Sequence, residues 1–169
     1  VDQIVKVDEA KRVVYFLANG KEKDENPYYE HLYRVGLDGS GLQQVTPGDY
    51  FHTVSMDDNA AFVVNNYSRV NTIPRTDLMD SNGRKLMTLE ESDFSGLLAA
   101  GYQFPEPFKV KAADGVTDLY GVMYKPFNFD STALYPIIDY VYPGPQVEAT
   151  VYPFSRMSVR TDRLAQAGF

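Results

Sequence analysis

Residues 1–92 repeat one rhythm, a short strand-like run followed by a tight turn of Asp, Asn and Gly, and nothing else in the chain constrains its fold as much. Runs at 4–7 and 12–18 flank Asp8-Glu9-Ala10-Lys11, which predicts a hairpin. Residues 31–37 alternate, with Tyr33, Val35 and Leu37 on one face and Leu32 and Arg34 on the other. Asp38-Gly39-Ser40-Gly41 then turns the chain into a run at 42–46. Runs at 51–56 and 60–65 enclose Asp57-Asp58-Asn59, residues that favour turns because their side chains bond nearby backbone. A last pair, 71–79 and 85–89, encloses Asp80-Ser81-Asn82-Gly83, and the Asn-Gly step tolerates the positive φ of a tight hairpin. Strands this closely spaced, with no long helical period, predict meandering antiparallel sheets. Propeller blades fit, although the region holds at most about two, short of the four to eight that close a ring. On the residues alone a β-sandwich fits nearly as well.

Composition narrows the function classes. The 169 residues are 44% apolar and carry 13 Tyr and 10 Phe but no Trp, enough for a packed core with aromatic-rich strands. A formal charge of −7 argues against a nucleic-acid partner, which needs a basic face. With no Cys there is no disulfide framework or thiolate metal site, and two His are few for a zinc centre, so no metal or cofactor is expected. No run approaches the ~20 apolar residues of a membrane span. The chain opens at Val1 without Met and stops at Phe169 after a helix-like segment, which predicts a piece of a longer protein.

Residues 21–30, Lys-Glu-Lys-Asp-Glu-Asn-Pro-Tyr-Tyr-Glu, read as a solvated charged loop, with Glu30 or Tyr28 lining a substrate surface as the less favoured reading. Composition shifts after residue 92, where Leu97-Leu98-Ala99-Ala100 before Gly101 predicts a short glycine-capped helix and a junction over 93–103. Beyond it, runs at 108–111 and 119–124 flank Asp114-Gly115 as a hairpin. Tyr135-Pro136-Ile137-Ile138-Asp139-Tyr140-Val141-Tyr142 then predicts a short strand apolar on both faces, hence covered on both sides in an α/β layer, stopping in Pro143-Gly144-Pro145. Residues 161–167 read as a helix with Thr161 or Ser158 near its start and Gly168 after its end.

Few residues look chemical. Ser40 lacks the Gly-x-Ser-x-Gly spacing of a nucleophile elbow and lies in a turn. His31 and His52 fall within strand runs, as packed or surface residues do, and Asp57, Asp58 and Asp114 are turn residues before they are metal ligands. Tyr142 stands apart. A phenol held at the C-terminal end of a buried strand by a rigid turn sits where open α/β sheets build sites, and a pre-positioned O–H can stabilise an oxyanion. The alternative is a buried aromatic with its hydroxyl bonded to backbone.

The run 135–145, preceded by Asp114-Gly115-x-Thr117-x-Leu119-Tyr120-Gly121-x-x-Tyr124-Lys125-Pro126, resembles the start of the hydrolase domain in the prolyl oligopeptidase family of serine peptidases, dipeptidyl peptidase IV branch. The resemblance implies a mixed fold: residues 1–92 as the C-terminal part of a β-propeller, 93–103 as a junction, and 104–169 as the first strands and first helix of an α/β-hydrolase domain. It implies that Tyr142 is the side-chain donor of the oxyanion hole. The implied parent is an exopeptidase releasing N-terminal dipeptides after Pro or Ala, acting on peptide substrates, homodimeric, and periplasmic or secreted. The family's Gly-x-Ser-x-Gly serine, its Asp and His, and its amine-binding glutamates are not in these 169 residues, so the chain alone is expected to be inactive, and neither Glu30 nor Glu148 is assigned to amine binding. The rivals are a non-catalytic β-propeller or β-sandwich binding module, and an acylaminoacyl-peptidase or endopeptidase of the same family.

Overall fold

The computed structural model describes residues 1–141, 152–154 and 159–169. They form two compact units, one of residues 1–69 and 73–92, the other of 70–72 and 93–169.

The first unit is two four-stranded antiparallel meanders. β1 (Gln3–Asp8), β2 (Val13–Asn19), β3 (Glu30–Gly36) and β4 (Gln43–Gln44) pair in chain order, as do β5 (Phe51–Met56), β6 (Phe62–Ser68), β7 (Arg75–Asp80) and β8 (Lys85–Glu91). Tyr15, Leu17, Leu32, Val45, Ala60, Val63 and Met79 meet in one core drawn from both meanders, ringed by Val5, Val13, Val54 and Met56. Alternation decides which residues enter it. In β6, Val63 and Asn65 are buried while Phe62, Val64 and Asn66 are exposed, the period of two expected of a pleated strand.

The turns do what their side chains dictate. Asp57 Oδ1 accepts the backbone N–H groups of Ala61 (2.7 Å) and Phe62 (2.6 Å), so Ala60 takes the left-handed φ of 48° and the strand starts at Phe62 rather than at residue 60. Asp80 Oδ1 accepts from the N–H groups of Asn82 and Arg84, both at 3.0 Å, and Gly83 sits at φ 92°. A Cβ on Gly83 would lie 2.5 Å from the Val45 carbonyl oxygen, so this turn also packs on the first meander. Gln43 reaches the Asn82 carbonyl (3.2 Å) and Arg34 bonds the Asn82 side chain, tying the two meanders further.

Some expectations need correction. Leu37 is 46% exposed, because β3 ends at Gly36 and the chain turns there. The run at 42–46 contributes only Gln43–Gln44 to the ladder, and the 71–79 run becomes a strand only from Arg75. The largest correction is to residues 21–30. They are not a freely solvated loop, because two of their carboxylates fold back onto β3.

In the second unit, α1 (Ser95–Ala99) ends as its glycine predicts. Gly101 lies at φ 88°, its N–H bonds the Leu98 carbonyl, and the Tyr102 N–H bonds that of Leu97. β9 (Glu106–Lys111) and β10 (Asp118–Met123) form an antiparallel hairpin, with Phe108 lying over Gly121 so closely that a Cβ there would meet the ring at 2.4 Å. α2 (Val159–Gln166) starts before Thr161, which therefore lies within its first turn; Ser158 is outside the described residues. Gln166 accepts the Phe127 N–H at 3.0 Å, while Phe104 contacts Phe94, Tyr102 and Phe154 through ring faces and edges.

The predicted strand at 135–142 does not appear over its described part. Residues 135–141 carry no strand pairing, with Ile137 90% and Tyr140 77% exposed. A strand apolar on both faces needs a covering layer on each side, and the described residues supply none. An α/β layer is accordingly absent among the described elements.

Candidate functional site

Tyr142 and Glu148 lie outside the described residues, so no geometry is assigned to the expected oxyanion donor. What the structure does build is a buried polar cluster at one rim of the first unit, where β2, β4 and β6 end and β3 and β5 begin.

Its centre is two histidines, His52 drawn inside by the alternation of β5 and His31 buried beneath the 20–29 segment, which covers its face of β3. His31 is 1% exposed and His52 fully buried, with ring centroids 4.9 Å apart. Buried ring nitrogens usually find a partner, and His31 has one on each side: Nδ1 lies 3.1 Å from the Thr46 carbonyl oxygen and 3.0 Å from Gln44 Nε2, and Nε2 lies 2.8 Å from Glu25 Oε1. His52 Nδ1 lies 3.0 Å from Asn65 Oδ1. Burial pushes the His52 pKa down to about 4, more than the Asn65 hydrogen bond raises it. His52 is therefore neutral at pH 7.

Around this pair the aromatic rings of Tyr50 and Tyr67 stack edge to face at 5.1 Å, with the Arg69 guanidinium 5.1 Å from the Tyr50 ring and 3.0 Å from Asp49. Tyr67 donates its hydroxyl to Asp77 (3.0 Å), which also pairs with Lys85 at 2.9 Å. Tyr33 donates to Glu22 at 2.8 Å. Burial raises the Glu25 carboxyl above its ordinary value, opposed by the contact with His31, whereas the Tyr33 hydrogen bond leads in holding Glu22 below its own.

This arrangement mostly binds its own parts: among the described residues no nucleophile is paired with a base here, although the buried His52 Nε2 has no hydrogen-bond partner. Both His31 nitrogens are engaged. Ser40 donates to Asp38 at 2.8 Å within its turn. Asp57 and Asp114 are spent on turn N–H groups, and Asp58 is fully exposed beside Lys6 at 3.5 Å. Among the described residues no three carboxylate or imidazole groups are placed to share a metal ion. Glu30 opens β3, half-buried, and its carboxyl is raised by burial and then by nearby Asp2.

The sequence reading missed Glu22 and Glu25. The signal was present in a different form: a His and a Tyr in a strand that buries both faces require polar partners, and the nearest unassigned carboxylates were in the adjoining charged segment.

With this geometry set out, comparison with known proteins gives a consistent frame. Residues 1–74 match the family described as the dipeptidyl peptidase IV N-terminal region. A protein of Emericella nidulans named as a dipeptidyl-aminopeptidase B is 34% identical over 154 residues, 86% of this chain and 16% of that protein. Human dipeptidyl peptidase 8 is 28% identical over 98% of the chain and 19% of its own length. A crystal structure of a Bacteroides ovatus protein described as a dipeptidyl aminopeptidase IV superposes with a TM-score of 0.77 at 24% identity, over 99% of this chain and 23% of that one, and so shares its fold. The chain thus spans less than a fifth of the length of these sequence relatives. No helix among the described residues is long and apolar enough to cross a membrane. The chain belongs to the dipeptidyl peptidase IV family, its first 74 residues falling in that family's N-terminal region.

Proposed function

We propose that this chain is the seam portion of a serine exopeptidase that removes dipeptides, after Pro or Ala, from the N-termini of peptides. The observation that carries the reading is the sequence Tyr142-Pro143-Gly144-Pro145 in a chain whose relatives are named as dipeptidyl peptidases across that same stretch. In this reading residues 1–92 close a β-propeller and residues 104–169 begin an α/β-hydrolase domain. A serine of the whole protein attacks the scissile carbonyl, and the Tyr142 hydroxyl, with a backbone N–H, donates to the oxygen as it becomes an oxyanion. Such a donor stabilises the transition state because it is already aimed where charge develops. Homodimerisation and a periplasmic or secreted location belong to the same proposal.

The test uses the whole protein that carries this chain, incubated with a peptide bearing Pro at its second position and followed by mass spectrometry. Release of the intact N-terminal dipeptide is the expected product. Cleavage inside the peptide, or removal of a blocked N-terminal residue, points instead to an endopeptidase or acylaminoacyl-peptidase. The 169-residue chain alone, freed of host peptidases, is expected to leave the peptide intact, since it holds no catalytic triad.

A further inference from the structure

The segment joining β2 to β3 carries a device that the peptidase reading does not use. Ten residues, 20–29, form no helix or strand, yet the segment lies folded back on the strand that follows it. Glu22 accepts the Tyr33 hydroxyl at 2.8 Å, and Glu25, its side chain only 9% exposed, meets His31 Nε2 at 2.8 Å. At one end Gly20 holds φ 70°, where a side chain would be strained; at the other, the Tyr29 N–H closes a turn on the Asn26 carbonyl at 2.9 Å. Asp24, next to the Glu25 contact, adopts a left-handed φ of 66° that a non-glycine residue seldom takes. The segment thus has a hinge, a closing turn and two carboxylate fastenings.

Bonding an oxygen at both ring nitrogens of His31 takes one proton more than a neutral imidazole and a carboxylate hold between them. Nδ1 faces the Thr46 carbonyl oxygen at 3.1 Å and Nε2 faces the Glu25 carboxylate at 2.8 Å, so an oxygen stands at each ring nitrogen. A neutral imidazole has one N–H and satisfies one of them. Gln44 can serve Nδ1 with either end of its amide, which leaves Thr46 as the acceptor that cannot change character. Either an imidazolium with a carboxylate or a neutral ring with a carboxylic acid satisfies both sides.

We propose that residues 20–29 are a proton-closed strap, hinged at Gly20 and latched by Glu25 on buried His31, which lifts locally from the first unit when the latch loses its extra proton.

The surrounding charges agree with that direction. Glu25 is raised by burial, and Asp49 and Glu22 beside it raise it further, so seating the strap makes this carboxyl hold its proton more tightly than it would in water. A group that binds its proton more tightly in the closed form favours closure as pH falls and opening as pH rises. From β5, His52 faces His31 but stays neutral down to about pH 4, so it adds no competing charge in the weakly acidic range. Arg69 is engaged by Asp49 at 3.0 Å and lies over Tyr50, while Lys21 lies between Glu22 and the Tyr33 ring. Tyr29 is pushed up to about 12 by burial and does not titrate in this range.

Hydrogen exchange read by mass spectrometry on the whole protein that carries this chain, between pH 5 and pH 8 and corrected for the intrinsic pH dependence of exchange, tests the strap. Protection over 20–29 is expected to fall severalfold toward pH 8 while β2 and β3 keep theirs. In Glu25→Gln, which removes the raised carboxyl, the slope is expected to vanish; in Glu22→Gln it is expected to remain, because Tyr33 still finds an acceptor. A flat profile in the parent chain, a loss shared equally by β2 and β3, or a slope that survives Glu25→Gln overturns the proposal. So does a slope abolished by Glu22→Gln alone.

Discussion

The turns at 80–84 and 112–117 are built from the same parts and end in different surroundings. In each an Asp carboxylate collects two backbone N–H groups, Asp80 from Asn82 and Arg84 and Asp114 from Val116 and Thr117, all within 2.9–3.0 Å, and a glycine takes positive φ. Gly83, however, presses its backbone against the Val45 carbonyl of the neighbouring meander, while Gly115 has nothing within 4 Å. The strands follow suit. β7 buries Asp77 and Met79, and β9 buries none of its residues. Turn chemistry is local and forms a hairpin wherever it is written; burial needs a second layer, which β9 and β10 lack among the described residues.

That contrast breaks first at the glycines. Gly83→Ala is expected to destabilise the chain by about 3 kcal/mol, since strain at positive φ adds to a backbone clash that cannot move aside. Gly115→Ala is expected to cost only the strain, about 1 kcal/mol. Urea unfolding followed by circular dichroism separates the two, and equal costs would mean that the Gly83 turn does not pack on the first meander.

Acid sharpens the same contrast. His52 has an ordinary value of 6.5 and a folded one of about 4, so below pH 6.5 the unfolded chain takes up a proton that the folded chain refuses. Stability is therefore lost between pH 6.5 and about 4, by roughly 2–3 kcal/mol from this residue, and His52→Gln removes that limb. Asp118 in β10 is shifted in the same direction but from an exposed position, where solvent screens its ion pairs. Hydrogen bonds from Lys111 and then Lys109 hold it below its ordinary value on an open surface, and Asp118→Asn is expected to leave the unfolding midpoint unchanged.

Legibility in the sequence follows the same division. The β-meander was readable because each of its signals is short-range: alternation in residues 62–66, Asp57 and Asp80 at their turns, Gly101 ending α1. Contacts that depend on a second element were not readable. Leu32 and Tyr33 are both buried although they point to opposite faces of β3, because the 20–29 segment covers one of those faces, and no pattern within β3 reveals that. The same limit explains Glu25, whose partner His31 is six residues away but is fixed by the path of the intervening turn. For residues 135–141 the apolar pattern was legible and its structural consequence was not, because a two-faced strand takes its form from layers lying outside itself. Tyr142 was singled out by its place at the end of that run, by the Pro143-Gly144-Pro145 sequence that follows it, and by the family resemblance of residues 135–145, which favoured the oxyanion role over packing.

The functional account rests on that tyrosine, and turnover of a Gly-Pro chromogenic substrate by the whole protein carrying Tyr142→Phe measures it most directly. Removing one pre-positioned oxyanion donor while keeping the ring is expected to lower kcat by about tenfold to a thousandfold with the melting temperature unchanged. An unaltered kcat would contradict the account and return Tyr142 to a packing role.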